Sequence, residues 1–440
     1  MCIWLSDPAS CLDDRHGPLM RAQALGQGRV ERWACTHSEP DAILLGVQAR
    51  PVRQSCTPLL LMTSALHTLD TPAALLDERK IGANITRMQS RMNALGVAFR
   101  PHVKTAKCVE VAKRQQEAGA CGITVSTLKE AQAFFEAGFA DILYAVGIIG
   151  ARLPQVQALR ERGCRLKITV DSLEAAQAVV TYGQEHGHTF EVLIEVDTDG
   201  HRAGVLPASA ALLEIGQALH AGGVTLAGVM THAGASYNLY TEAELVAFAE
   251  QERSGCVRAA QRLREAGLPC SIVSVGSTPT ALSAAHLQGV TEVRAGVYVF
   301  QDLVMAGVGV CTPEDIALSV LGTVIGHQPD KGWVLIDAGW MALSRDRGTQ
   351  AQPVDRKYGL VCDERGTLLP ELIVSAANQE HGIVSRLDGA ADTTLRERFP
   401  LGSRLRVLPN HACATGAQFD RYHLLGEDGS VAVWPRFGGW

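Results

Sequence analysis

Eight short segments rich in β-branched residues recur between residues 97 and 296, and longer helical stretches separate them. They are "VAFRP" (97–101), "GITVS" (122–126), "DILYAV" (141–146), "RLKITV" (165–170), "EVLIEV" (191–196), "LAGVMT" (226–231), "SIVSV" (271–275) and "EVRAG" (292–296). Intervening stretches such as "LKEAQAFFEAG" have apolar residues at helical spacing and end in glycine. Eight strands alternating with helices predict an α/β fold, a (β/α)8 barrel. A doubly wound open sheet is the alternative, but no G-x-G-x-x-G follows a first strand.

The sequence pattern divides the chain into three parts. Residues 1–65 show no sustained period of 2 or 3.6 and form a poorly patterned N-terminal extension. Residues 66–308 carry the predicted barrel. Residues 309–440 contain short alternating segments with turns, which predict a mostly antiparallel C-terminal β domain. One hypothesis for the extension is that translation starts at Met62, and the alternative is a genuine, loosely ordered arm.

Composition excludes several classes of function. The 440 residues carry a net charge of −6 without a polybasic run, so nothing electrostatic favours nucleic acid as a partner. The longest apolar run, 57–66, is shorter than the ~20 residues that span a bilayer and lies too far inside the chain for a signal peptide. The 12 cysteines have no repeating spacing and no export signal accompanies them, which predicts free thiols. We therefore expect a cytoplasmic protein with a small-molecule ligand and no membrane partner.

Residues that can carry chemistry follow the predicted strands, where barrel enzymes place their active sites. Lys104 follows the first strand in "HVK" and can bind phosphate, act as a base or form a Schiff base with a carbonyl cofactor, although most lysines are simply solvated. Gly276, Ser277 and Thr278 follow the seventh strand, at a position where barrels often bind phosphate. A lysine and a phosphate cradle together suggest pyridoxal 5'-phosphate, which needs both anchors.

Two further side chains follow strands five and six. Arg202, in "EVDTDGHRAGV", can contact the cofactor's phenolic oxygen or a substrate carboxylate, or it can be a surface arginine in a turn. His232 can serve as a general base or a ring contact, or it can be a satisfied histidine at the top of the barrel. The residues alone leave these alternatives open.

A His-x-Cys pair, His411 and Cys413, lies in the predicted β domain within "PNHACATGAQFDRYH". On one extended strand both side chains would point to the same face, which favours a metal site over a buried cysteine beside an unrelated histidine. Two protein ligands leave coordination positions open for water and substrate, as a catalytic site requires. Asp420 and His423 either orient these ligands or belong to a strand edge.

Taken in order, the motifs resemble one family. They are "LDTPAALLDERKIGANI", "RPHVKTAKC", "EVDTDGHRAGV", "THAGASY", "VGSTPT", "RAGVYVFQD", "DAG", "NQEHGIV" and "PNHACAT". Over residues 66–440 the chain resembles the D-threonine aldolase and D-serine dehydratase family of fold-type III pyridoxal phosphate enzymes, relatives of alanine racemase. The set is highly specific, although no single motif is.

The resemblance implies a role for each candidate residue. Lys104 would bind pyridoxal phosphate as a Schiff base and act in catalysis together with His232. The cofactor contacts would be Arg202 and, around the phosphate, Gly276, Ser277, Thr278 and Tyr298. His411 and Cys413 would bind a divalent metal beside the cofactor. A thiolate ligand favours zinc, with manganese or magnesium as the alternatives.

The resemblance also limits the reactions that this chain is expected to catalyse. Both branches act on D-β-hydroxy-α-amino acids: a dehydratase gives a 2-keto acid and ammonia, whereas an aldolase gives glycine and an aldehyde. His-x-Cys resembles the dehydratase branch and His-x-Asp the aldolase branch, so we predict a dehydratase of the D-serine or D-threonine type. D-threonine aldolase is the alternative, and a non-catalytic pyridoxal phosphate-binding protein or a racemase is a weaker one. By resemblance we expect a homodimer.

Overall fold

The computed structural model describes residues 65–440. The predicted N-terminal extension, apart from its last residue, lies outside the described residues, and so does the start-site hypothesis at Met62.

Eight parallel strands form the first sheet, and all eight overlap the segments that the sequence predicted. They are β2 (Ala98–Phe99), β3 (Ile123–Val125), β4 (Asp141–Gly147), β5 (Arg165–Val170), β6 (Glu191–Glu195), β7 (Thr225–Met230), β8 (Ile272–Val275) and β9 (Glu292–Val293). Their order is β2-β9-β8-β7-β6-β5-β4-β3. A parallel bridge between His102 and Thr124 joins the two ends of this order. The prediction of a (β/α)8 barrel is confirmed.

Helices connect the barrel strands and begin with the capping residues that the sequence provides. Thr127, Ser172, Ser209 and Thr241 each accept a hydrogen bond from a backbone N–H of the first helical turn. The helices of this part are Glu78–Ala94, Val109–Glu117, Leu128–Glu136, Leu153–Glu161, Leu173–His186, Ala210–Ala221, Glu242–Glu265, Thr278–Ser283 and Leu303–Val308. Their buried faces pack with the strands into one hydrophobic core.

The second sheet has nine strands. They are β1 (Ala73–Asp77), β10 (Leu318–Gln328), β11 (Trp333–Ile336), β12 (Leu360–Cys362), β13 (Leu368–Ala377), β14 (Gly382–Arg386), β15 (Arg404–Leu408), β16 (Arg421–Leu425) and β17 (Val431–Pro435). Strands β10, β11, β14, β13, β12 and β15 close into an antiparallel ring filled largely by valine and leucine side chains. Short helices span Trp340–Leu343, Leu395–Arg398 and Ala412–Gly416. The predicted antiparallel β domain is confirmed.

Strand β1 lies within the sequence range predicted for the barrel, yet it belongs to the second sheet. It pairs antiparallel with β10 and parallel with β16. Its buried side chains, from Ala73 to Leu76, pack on both sides of that sheet. The boundary near residue 309 therefore separates the two sheets for every described strand except β1.

Two expectations drawn from composition concern residues 65–440. Within this range, no helix is both long enough and apolar enough to cross a bilayer. The described cysteines are free thiols, and most of them are buried. The expectation of free thiols is confirmed for this part of the chain.

Candidate active site

A cavity of about 570 Å³ opens at the carboxyl ends of the barrel strands and extends to the β domain. The predicted residues in its wall are Lys104, Arg202, His232, Gly276, Ser277, Thr278, His411 and Cys413. The wall also contains residues that the sequence did not single out, among them His102, Thr105, Tyr237, Arg294 and Asp302. Folding therefore brings together candidates from positions 104 to 413 of the chain.

Lys104 lies in the turn that follows β2 and is half-buried. This turn is anchored on both sides, because the His102 N–H donates to the Ala295 carbonyl and the Val103 N–H to the Thr124 carbonyl. The Lys104 N–H lies 3.4 Å from His102 Nδ1, which accepts from it. Burial, reinforced by the charge of Lys104, lowers the pKa of His102 well below its usual value, so the ring is neutral and can accept. The amine thus extends from a fixed backbone.

The loop after β8 folds as its sequence requires. Gly276 has φ +137°, and a Cβ there would lie 2.1 Å from the Arg294 carbonyl oxygen. Ser277 then caps the helix Thr278–Ser283: its hydroxyl accepts from the Thr280 N–H at 3.2 Å and also contacts the Ser236 hydroxyl at 2.9 Å. This arrangement presents small polar residues and backbone to the cavity without side-chain bulk.

Tyr298 was expected beside these residues as a phosphate contact. It is fully buried, and its hydroxyl accepts a hydrogen bond from Gln115 Nε2 at 2.8 Å, away from the cavity wall. Its link to the loop is the backbone N–H, which donates to Thr278 Oγ1 at 3.2 Å. A direct phosphate contact by the Tyr298 hydroxyl stays a prediction, whereas support of Thr278 is observed.

His232 follows β7 and faces the cavity, and one of its ring nitrogens is already hydrogen-bonded. Nδ1 lies 3.0 Å from the Gly276 carbonyl oxygen and donates to it, which leaves Nε2 as the basic nitrogen. Burial, together with the nearby Lys104 and Arg202 cations, lowers the pKa of His232 to about 3. The ring is therefore neutral at physiological pH and a weak proton acceptor.

Two arginines line the cavity, and the sequence predicted only one of them. Arg202 is 56% exposed and forms an ion pair at 3.6 Å with the buried Glu195. Arg294 is buried and donates to Ser274 Oγ and to the Thr231 carbonyl, both at 2.5 Å. Its position at the end of the eighth strand segment, "EVRAG", is the signal that could have identified it.

His411 and Cys413 do not lie on one strand, so that part of the prediction is wrong. His411 is extended and precedes the short helix Ala412–Gly416, which contains Cys413. The two side chains nevertheless meet. Burial opposes protonation of His411, but hydrogen bonds to Asp346 and Cys413 outweigh it and raise its pKa to about 11. Burial likewise opposes the Cys413 thiolate, but His411 and Lys104 outweigh this effect and lower the pKa of the thiol.

Three residues that the sequence did not reveal hold this pair. Asp346 Oδ2 accepts from His411 Nδ1 at 2.6 Å. Asp302 Oδ2 accepts from the Ala412 N–H at 2.9 Å. The hydroxyl of Thr105, next to Lys104, lies 3.2 Å from Cys413 Sγ. Thr105 and Asp302 do lie in motifs noted above, "HVKTAK" and "VYVFQD", whereas Asp346 lies in an unpatterned loop.

Asp420 and His423, considered as orienting groups for the ligands, have other partners. The Asp420 carboxylate is 73% exposed and pairs with the neighbouring Arg421. His423 is part of β16 and pairs in register with Leu75 of β1 and Val433 of β17. Asp420 therefore lies just before β16, whereas His423 lies in a strand that is paired on both sides and not at a strand edge.

The cavity residues fit both groups that the sequence suggested. A volume of about 570 Å³ lies in the usual range for cofactor sites. An amine lines this cavity, and so does a glycine-backed loop with Ser277 and Thr278. For a metal, the imidazole and thiolate of His411 and Cys413 are suitable donors. Within residues 65–440 no cluster of three or more His, Cys, Asp or Glu side chains is arranged to hold a metal, so this pair would leave coordination positions open.

Known proteins resemble both parts of the chain. A model of the alanine racemase N-terminal domain matches residues 76–303, and a model of a serine dehydratase domain matches residues 317–425. D-threo-3-hydroxyaspartate dehydratase of Delftia sp. (strain HT23) is 62% identical over 380 residues, which cover 86% of this chain and 100% of that protein. D-serine dehydratase of Dictyostelium discoideum is 30% identical and covers 83% of this chain and 96% of its own. D-threonine aldolase of Arthrobacter sp. is also 30% identical, over 85% of this chain and 92% of its own.

A solved structure extends the likeness to three dimensions. It is D-threo-3-hydroxyaspartate dehydratase as a cysteine-to-alanine variant in the metal-free form, with 62% identity and a TM-score of 0.85. The match covers 85% of this chain and 99% of that chain. The chain therefore belongs to the D-threonine aldolase and D-serine dehydratase family of fold-type III pyridoxal phosphate-dependent lyases.

Proposed function

We propose that this protein is a metal-dependent dehydratase that removes water from a D-β-hydroxy-α-amino acid and releases a 2-keto acid and ammonia. D-threo-3-hydroxyaspartate is the first substrate to test, because the 62% identical relative bears that name. D-serine and D-threonine are the next candidates.

One observation carries the proposal: a lysine amine and a histidine–cysteine pair share a single cavity. Lys104, His411 and Cys413 all line it. A hydrogen bond between Cys413 and Thr105, the neighbour of Lys104 in the chain, holds the ligand pair near the lysine. β-Elimination from a hydroxy amino acid has two requirements, loss of the Cα proton and departure of the β-hydroxyl. The Lys104 side of the cavity suits the first requirement, and the side with His411 and Cys413 suits the second.

The groups bound in this cavity would supply chemistry that side chains lack. Lys104 and the loop after β8 would hold pyridoxal phosphate, which would supply an electron sink for the charge that develops at Cα. His411 and Cys413 would hold a divalent metal, which would supply Lewis acidity toward the departing hydroxyl oxygen.

The chain's own residues would position the substrate and exchange protons with it. Lys104 lines the cavity, and its Nζ, when free, would be the group suited to take up the Cα proton. His232 is less suited to that task, since a pKa near 3 makes Nε2 a weak base, so we propose the ring-contact role for it. Arg294, fixed in the cavity wall by two hydrogen bonds, provides a permanent positive charge.

The charge balance of the cavity wall suits a substrate with a second carboxylate. Its cationic side chains include Arg202 and Arg294, whereas its carboxylate, Asp302, is buried and accepts from two backbone N–H groups. Arg202 is exposed and makes only a 3.6 Å ion pair, so it is available to an anionic group.

D-threonine aldolase activity is the second candidate, since the 30% identical Arthrobacter relative bears that name. In that reaction a base removes the β-hydroxyl proton and the Cα–Cβ bond breaks. The cysteine at position 413 favours the dehydratase, because the His-x-Asp pair is the one that resembles the aldolase branch.

Three finer points belong to the same proposal. Zinc is the proposed metal, because the donor set contains a thiolate. The proposed assembly is a homodimer, to be measured by light scattering on the eluting protein. The proposed location is the cytoplasm.

The deciding experiment quantifies both product pairs. Protein loaded with pyridoxal phosphate and zinc is given D-threo-3-hydroxyaspartate, D-serine and D-threonine separately, with Lys104→Ala as the inactive control. Ammonia and 2-keto acid in equal amounts support the proposal, and the substrate with the highest kcat/KM identifies the enzyme. Glycine with an aldehyde would establish the aldolase instead. Cofactor binding without either product pair would point to a non-catalytic binding protein.

A further inference from the structure

The carboxylate of Asp346 touches a predicted metal ligand directly. Its Oδ2 lies 2.6 Å from Nδ1 of His411, and the two residues are 65 positions apart in the chain. An aspartate carboxylate carries no proton to donate in its ordinary ionised form, so it accepts and Nδ1 is the donor.

This contact determines which imidazole nitrogen can bind a metal. With Nδ1 protonated and directed to Asp346, Nε2 is the ring nitrogen left to bind a metal. A carboxylate on the far nitrogen also makes the imidazole a stronger ligand and limits its rotation.

The surroundings of Asp346 indicate that it orients His411 and contributes little to the stability of the fold. Asp346 is 45% exposed and lies in a loop, so its removal leaves no buried cavity. The buried carboxylate of Asp302, in contrast, accepts from the backbone N–H groups of Met305 and Ala412 and not from a ligand side chain.

We propose that Asp346 is a positioning residue for the metal: it holds His411 in the Nδ1–H tautomer so that Nε2 and the Cys413 sulfur form the binding pair. The inference rests on the metal site of the proposed function and specifies how this chain builds that site. It does not depend on which bond of the substrate breaks.

The test measures metal binding apart from catalysis. Chelator-treated protein is titrated with zinc against a chromogenic chelator, and with cobalt to record the visible absorption of the bound ion. Asp346→Ala is expected to weaken zinc binding by about 10- to 100-fold, the usual effect of losing such a partner. Asp346→Asn, whose amide oxygen still accepts from Nδ1, is expected to lie between the alanine variant and the unsubstituted protein.

A matched control comes from the same loop. Asp355 forms ion pairs with Arg347 and Lys357 and not with His411. Asp355→Asn therefore perturbs the loop but leaves the tautomer of His411 unchanged. Zinc affinity in that variant should stay within about twofold of the affinity of the unsubstituted protein, because the ion pairs it loses are partly exposed and weak. About twofold is the reproducibility we expect of such titrations. Thermal unfolding of the metal-free variants confirms that each is folded.

Kinetics supply the second readout. At saturating zinc the Asp346→Ala variant should recover most of its kcat, because the defect lies in metal affinity. Unchanged zinc affinity in Asp346→Ala would overturn the inference, and so would an equal loss in Asp355→Asn. Failure of the product assay with intact metal binding would refute the proposed reaction while leaving this inference in place.

Discussion

The hydroxyl of Thr105 lies 3.2 Å from the sulfur of Cys413, across 308 positions of sequence. Thr105 follows Lys104 in the turn after the first barrel strand, and Cys413 belongs to a short helix of the β domain. Either atom can donate in this contact, whereas a metal-bound thiolate could only accept from the hydroxyl. This bond fixes the spacing between the amine and the proposed metal.

Loss of this hydroxyl should weaken metal binding slightly. Thr105→Val keeps the shape of the side chain and removes one hydrogen bond, which contributes about 1 kcal/mol and corresponds to roughly fivefold in affinity. Zinc titration of the chelator-treated variant measures the change. Thr105→Ser retains the hydroxyl and should bind zinc as the unsubstituted protein does; equal losses in both variants would show that packing matters instead.

Asp302 should be required for stability. Its carboxylate accepts from the N–H groups of Met305 and Ala412, both at 2.9 Å, in a fully buried position. In Asp302→Asn only one oxygen remains, so one buried donor loses its partner, at a cost of about 1–3 kcal/mol in the free energy of unfolding. Urea unfolding of the metal-free protein measures this loss.

An exposed capping aspartate provides the control for Asp302. Asp315 accepts from the Thr312 N–H at 2.8 Å at the surface, so Asp315→Asn should change the free energy of unfolding by only about 0.5 kcal/mol. Similar effects of the two substitutions would contradict the assignment of a special role to Asp302.

Acid should destabilise the protein partly through His232. Its pKa is lowered to about 3 in the folded state, from 6.5 for an ordinary histidine. Between these values the unfolded chain binds the extra proton, so the free energy of unfolding falls as pH decreases, by at most about 1.4 kcal/mol per pH unit for one group. Above pH 6.5 this contribution is constant.

His232→Asn removes the titrating ring and keeps an N–H donor for the Gly276 carbonyl. Urea unfolding of the cofactor-free protein at several pH values between 6.5 and 4 should give a shallower dependence for the variant. The free energy of unfolding of the variant should still depend on pH to some extent, because burial also lowers the pKa of His102. An unchanged slope would mean that His232 is accessible to protons in the folded protein.

Gly276→Ala should impair cofactor binding. The new Cβ would lie 2.1 Å from the Arg294 carbonyl oxygen, so the loop after β8 must move. Titration of the cofactor-free variant with pyridoxal phosphate, followed by visible absorption, should show binding at least about tenfold weaker, equivalent to 1.4 kcal/mol.

Gly138→Ala is the matched control for Gly276. Gly138 has φ +100° and nothing within 4 Å of a built Cβ, so it shares the unfavourable backbone conformation without the collision. This variant should bind the cofactor normally. Equal weakening in both variants would attribute the effect to backbone strain in general.

The sequence predicted the features that depend on local pattern. The eight barrel strands were found because short β-branched runs alternate with helices. Lys104, His232 and the loop 276–278 were found because they follow those strands. The helix at Ala412–Gly416 was missed, since the prediction treated His-x-Cys as a strand, although Ala412 and Ala414 favour helix. Asp346 and the pairing of β1 depend on contacts between distant parts of the chain, and no local pattern signals such contacts.

Strand β1 has a consequence for how the protein is made. Ala73–Asp77 leaves the ribosome before any barrel strand, yet its neighbours β10 and β16 are translated only after the barrel is complete. The nascent chain must carry this apolar strand unpaired through most of synthesis, and an exposed strand edge invites association with other chains. Separate expression of residues 309–440 would omit the strand that joins β10 to β16, so truncation of this protein between its two sheets should yield aggregates.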